Sequence, residues 1–143
     1  MRALLDVNAL IAVVQPDHVH HRVVREWWSK NRSTGWASCP LTQNGFVRIL
    51  SQPKNPAALT AGGAIGLLRR AIVAEDHAFW ADDISLADPE VFDHGRILGP
   101  NQITDVYLLA LAMKHGGRLV TLDQSIPASA VRGAQERHLV IMG

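Results

Sequence analysis

Three aspartates in this 143-residue chain each stand where an apolar segment meets a turn or a helix start. Asp6 follows Ala3-Leu4-Leu5, and Asp123 ends the run Arg118-Leu119-Val120-Thr121-Leu122. Asp105 opens a helix that is apolar almost all round, from Val106 to Met113. A carboxylate in such a place loses hydration and needs a partner, yet no Lys or Arg adjoins any of the three. Taken singly, each also fits a helix cap or a turn residue. Converging at one end of a sheet, they would repel one another unless a hard divalent cation compensated them. Mg²⁺ or Mn²⁺ takes oxygen ligands of this kind.

The elements that must carry these acids alternate between strand and helix. Residues 2–6 read as a short buried strand and 8–14 as a helix. An amphipathic helix is expected over 17–30, its stripe written by Val19, Val23, Val24, Trp27 and Trp28. A second strand spans 35–39 and ends at Pro40. The segment 42–50 reads as a helix, 54–59 as a loop and 60–75 as a further helix, which Gly62, Gly63 and Gly66 weaken. Residues 77–81 form a third strand. Asp88-Pro89 places a capping residue before a proline, which predicts a helix over 88–96. The helix Ile103–Lys114 stops at Gly116-Gly117, and strands follow at 118–122 and 138–142.

Short apolar strands separated by helices imply an α/β fold: a three-layer α/β/α sandwich around a central, mostly parallel sheet. Ligands of such sheets gather outside the carboxyl ends of the strands. Asp6 and Asp123 belong to that edge, and Asp105 sits at a helix start whose dipole favours negative charge.

Length and composition set further bounds. A chain of 143 residues with 48% hydrophobic content suits one domain, 1–143, with a real core. With 14 Lys+Arg against 13 Asp+Glu the net charge is +1, so a globally basic nucleic-acid footprint is absent and any RNA or DNA contact must come from a local groove, a metal or an oligomer. The lone Cys39 fits a reducing compartment. The N-terminus meets Asp6 too early for a signal-peptide apolar region, and no run is long enough to cross a bilayer. The expectation is a cytoplasmic protein without a membrane segment.

Three segments resemble PIN-domain ribonucleases, and among them VapC-type toxins of type II toxin–antitoxin modules: Leu4-Leu5-Asp6-Val7-Asn8-Ala9-Leu10, Ile103-Thr104-Asp105-Val106-Tyr107-Leu108, and Leu119-Val120-Thr121-Leu122-Asp123. The intermediate Cys39-Pro40-Leu41-Thr42-Gln43-Asn44-Gly45-Phe46 extends the likeness. The resemblance implies a metal-dependent endoribonuclease in which Asp6, Asp105 and Asp123 are catalytic and hold Mg²⁺ or Mn²⁺. Asn8 and Thr121 match polar positions beside the acids. Many members carry a glutamate where Gln43 stands; a neutral amide brings no charge, so weaker metal binding is implied. The implied partners are RNA, a VapB-type antitoxin docking near the 17–30 and 60–75 helices, and a second copy in a homodimer. A PIN-like module that binds RNA or a partner without catalysis is the alternative, resting on Gln43.

Other chemistries fit less well. A haloacid-dehalogenase-type phosphatase wants an aspartate where Asn8 stands, and a receiver domain wants paired acids and a lysine that are not found. His18, His20 and His21 lack spacing for a tetrahedral zinc site. No Gly-x-Ser-x-Gly motif occurs, and Cys39 precedes a proline at a strand end.

Overall fold

In the computed structural model, which describes residues 1–55, 58–73 and 76–143, side-chain alternation along one short strand sorts the layers. On β1 (Ala3–Leu5), Ala3 and Leu5 pack into one core and Leu4 into another on the opposite face. The same alternation recurs on β2 (Trp36–Ser38), with Trp36 on one side and Ala37 on the other, and on β4 (Arg118–Thr121), with Val120 and Leu119. Strands buried on both faces need cover on both. With β3 (His77–Phe79) and β5 (Leu139–Ile141) they form a five-stranded sheet of order β3-β2-β1-β4-β5, parallel at every pairing. The architecture is the expected α/β/α sandwich, with a fully parallel sheet.

One face carries α1 (Val7–Val14), α2 (His21–Asn31), α3 (Pro40–Leu50) and α4 (Ala61–Ile72). The other carries α5 (Ile103–Lys114), whose buried run Val106 and Leu108–Ala112 explains its apolar surround. One side of α5 meets Leu4 and Leu119 of the sheet, while Phe92, Ala130 and Val131 cover the rest. Each fully buried leucine here contributes about 1.5–3 kcal/mol relative to exposure.

Three expectations need correction. The helix expected over 88–96 is a series of turns ending in a short 3-10 segment, His94–Arg96. Asp88 accepts from the Glu90 amide at 2.9 Å in a turn, and Phe92 is fully buried while pairing antiparallel with Val131. Tertiary burial of that ring outweighs the local cap signal. The second helix begins at His21, because His18 Nδ1 accepts from the His20 amide at 3.0 Å and the chain turns before it can coil. Val19, left outside the helix, is exposed, as is Val23 on its outer face, and Val24 is the fully buried residue of that helix. The third helix starts earlier than expected, at Pro40, with Cys39 as its cap: the Cys39 amide donates to Thr42 Oγ1 at 3.0 Å. Thr60 caps α4 by accepting from the Gly63 amide at 3.0 Å. Part of the 54–59 loop and the expected end of that helix at 75 lie outside the described residues.

The hand-over from α5 to β4 places the last acid. Gly116 adopts φ +73, and the amides of Gly116 and Gly117 donate to Met113 and Ala112 carbonyls at 3.0 and 2.8 Å, a Schellman stop that only glycine closes without strain. A Cβ on Gly117 would lie 2.5 Å from the Arg2 carbonyl oxygen and 2.6 Å from the Trp80 ring. Gly117→Ala is therefore expected to destabilise the fold by about 1–3 kcal/mol, as overpacking does. Urea denaturation checks this, and an unchanged midpoint would refute the close approach.

Candidate active site

The strand order reverses between β1 and β4, and the crevice outside their carboxyl ends is where parallel sheets bind ligands. Asp6 directly follows β1, and Asp123 stands two residues beyond β4. Asp105 occupies the first turn of α5. The three carboxylates meet at this crevice.

Asp6 is only 5% exposed. Its side chain caps α1 by accepting from the Val7 amide at 2.7 Å, and its other oxygen accepts from Thr121 Oγ1, also at 2.7 Å. Thr121 is buried and accepts in turn from the Asp123 amide at 3.0 Å. One threonine hydroxyl thus ties the end of β1 to the turn after β4. Asp123 Oδ1 accepts from the amide and the hydroxyl of Ser125, both at 2.8 Å, which aims the carboxylate. The matched position Thr121 lies beside the acids as the resemblance implied. Asn8, by contrast, is exposed and faces a groove shared with Gln15, His18 and Asn55.

Asp105 is the shared neighbour. Burial first, then the adjacent Asp123 and Asp6 carboxylates, push its pKa up to about 8. Hydrogen bonds from Asp105, then from Ser125, hold Asp123 below the ordinary range. Burial raises Asp6, against the lowering effect of its bonds from Thr121 and Val7. A pKa of about 8 favours a protonated Asp105 near neutral pH, with one O–H to share with the carboxylates beside it. Among the described residues no Lys, Arg or His forms an ion pair with any of the three. Nor do any three His, Cys, Asp or Glu side chains form a ready metal-ligand group. The donor chemistry nonetheless fits a hard cation: three all-oxygen acids at one rim, their mutual repulsion relieved by a proton that a divalent ion can displace.

Gln43 stands in the first turns of α3, half-buried, with its Nε2 donating to Ser38 Oγ at 3.0 Å. Ser38 Oγ lies 2.8 Å from His77 Nε2. Sequence reasoning singled out neither Ser38 nor His77, since only the β2–β3 register brings them together. Burial pushes the Cys39 thiol up to about 11, which keeps it protonated and unsuited to nucleophilic attack. His18 and His20 contact each other outside any helix, and His21 bonds the Ala12 carbonyl at 2.6 Å.

A model of the PIN domain matches residues 3–131, and the chain belongs to the PIN-domain family. Within it the chain is similar to the ribonucleases called VapC. Ribonuclease VapC44 of Mycobacterium tuberculosis (strain ATCC 25618 / H37Rv) is 50% identical over 142 residues, covering 99% of this chain and 100% of that protein. Ribonuclease VapC38 of the same strain is 46% identical over 125 residues, 87% of this chain and 86% of its own length. The crystal structure of Mycobacterium tuberculosis VapC20, described as a sarcin–ricin loop cleaving toxin, aligns with a TM-score of 0.60 over 86% of this chain and 89% of that one. At 8% identity that last likeness speaks for the fold alone.

Proposed function

We propose that this protein is the ribonuclease toxin of a toxin–antitoxin pair, cleaving RNA phosphodiester bonds with Mg²⁺ or Mn²⁺ at Asp6, Asp105 and Asp123. The observation that carries this is the acid trio joined through Asp105 at the reversal point of the sheet, in a chain half identical to a named VapC ribonuclease. A bound divalent ion supplies Lewis-acid polarisation of a phosphate oxygen and lowers the pKa of a water. The protein's own part is positional: Thr121 and the Val7 amide hold Asp6, and Ser125 holds Asp123. The non-catalytic alternative is not favoured, because Gln43 replaces one acid while the three others stand together. Incubating purified protein with total RNA tests the reading. Cleavage that appears with Mn²⁺ and vanishes with chelator supports it, and intact RNA under every metal condition overturns it.

For the antitoxin, the candidate site is a cavity of about 340 Å³ between α1, α2 and α4. Leu10, Val14, Trp28 and Leu67 make it apolar, and the exposed Arg25 and Arg70 border it. Trp28 meets Trp36 edge-on at 6.2 Å and so stays half-buried on this face, while Trp27 lies under Arg118 at 5.2 Å. An apolar antitoxin segment flanked by acidic residues complements such a groove. Reversing Arg25 and Arg70 to Glu should weaken antitoxin capture roughly ten-fold or more at low salt, mostly through slower association. Surface plasmon resonance reads this, and unchanged association would move the antitoxin elsewhere.

A C2 homodimer would set two acidic rims beside one surface and so enlarge the RNA groove. Light scattering checks it, and a monomer at micromolar concentration would refute it. Among the described residues no helix is long and apolar enough to cross a membrane.

A further inference from the structure

Gln43, Ser38 and His77 form a hydrogen-bonded chain whose direction decides which end of the Gln43 amide faces outward. Ser38 is fully buried and ends β2. Leu4 pairs with Ala37 across β1 and β2, so Ser38 stands beside Leu5, at the rim that carries Asp6. His77 is its diagonal neighbour on β3, since Trp36 pairs with His77 and Ser38 with Phe79. The His77 ring rests on Trp36 at 4.4 Å. The α3 helix starts from the same edge, and Gln43 borders a groove between α3 and α4 with Asn44, Arg48, Ile65 and Leu68.

A serine hydroxyl has one proton to give. If it donates to His77, it accepts from the Gln43 amide group, and the Gln43 carbonyl oxygen is left free to face outward. If His77 carries a proton on Nε2, the hydroxyl donates to Gln43 instead and the amide presents its NH₂ group. The observed donor, Gln43 Nε2 to Ser38, corresponds to the first arrangement. Burial and then the positive charge of Arg2 hold His77 below its ordinary pKa, which disfavours the charged ring. Arg2, which donates to the Trp36 and Asp76 carbonyls, is the charged side chain acting on His77.

We propose that Ser38 and His77 are positioning residues for Gln43: a bare His77 Nε2 accepts the Ser38 hydroxyl hydrogen bond and thereby fixes the Gln43 amide with its carbonyl oxygen outward, as an uncharged acceptor near the strand edge that carries Asp6. The inference rests on the reading that this rim holds a divalent cation. It explains how a chain with glutamine in place of the family's acid still offers an oxygen there. A bare Nε2 on His77 is what prevents the amide from turning its NH₂ group to the same place, where it would repel a cation.

Nitrogen-15 NMR of the metal-free protein tests the chain's direction. Wild-type His77 is expected with Nδ1 protonated and Nε2 bare. In Gln43→Glu the carboxylate can only accept, so Ser38 must donate to it and His77 must donate to Ser38. The histidine then moves its proton to Nε2 and its pKa rises by roughly one. Calorimetry with Mn²⁺ gives the second readout. Ser38→Ala should weaken binding about ten-fold in the wild-type background and add nothing in Gln43→Ala. A serine that merely supports the fold would lower affinity equally in both. A wild-type His77 protonated at Nε2, or equal losses in the two backgrounds, overturns the proposal. Expected tautomers in a protein that binds no Mn²⁺ would leave the relay standing and remove the cation from the reading.

Discussion

Asparagine in place of Asp6, Asp105 or Asp123, one at a time, should lower RNA cleavage by more than about 100-fold, beyond the 10–100-fold typical of outer-sphere changes at metal sites. The fold should survive each change, for local reasons. Asparagine is as good a helix cap as aspartate, so the side-chain oxygen of the Asp6→Asn variant can still accept from the Val7 amide. A side-chain oxygen at 123 can still accept from Ser125 in the turn. At 105, the change removes the acid that burial and two neighbours already force to hold its proton. Activity assays beside circular dichroism check both halves of the expectation. Full cleavage by two of the three variants would dissolve the shared site.

The metal-free protein should lose stability as pH rises from about 4 to about 8. Asp105 has its ordinary value of 3.8 when unfolded and about 8 when folded. Across that interval the folded state binds more protons than the unfolded one, so stability falls with rising pH. It is fully present below 3.8 and lost as pH passes 8. Asp6, raised by burial, acts in the same direction. Asp123 is lowered and acts oppositely, losing its contribution only as pH falls below the ordinary range. Asp105→Asn should flatten the slope. Mn²⁺ competes with the Asp105 proton, so its stabilisation should be larger at about pH 8 than at about pH 6. At one hundred times the dissociation constant the gain is about 2.7 kcal/mol, or roughly 5–10 °C in melting temperature for a domain of this size. Thermal melts across pH, with and without Mn²⁺, read both effects. A pH-independent melting curve without metal would refute the proton held at Asp105.

Much of this site is written locally. Asp6, Thr121 and Asp123 adjoin strands so apolar that their places in a buried parallel sheet follow from residue type alone, and α5 is marked by its glycine stop. The sheet layers, the rim and the three acids were therefore legible in sequence order, because each depends on burial or on a turn within a few residues. Where local signals competed with burial, they lost. The Asp88-Pro89 cap yields to the buried Phe92 ring, and the amphipathic pattern before His21 yields to the histidine turn.

What only the tertiary structure decided is pairing across the sheet. That Thr121 bonds Asp6 depends on β1 lying against β4, and that Ser38 joins Gln43 to His77 depends on the β2–β3 register. The raised pKa of Asp105 likewise comes from two carboxylates 99 and 18 positions away in sequence (105 − 6 and 123 − 105). Strand neighbours distant in sequence leave no local trace, since a hydrogen bond between side chains constrains their separation in space and says nothing of their spacing along the chain.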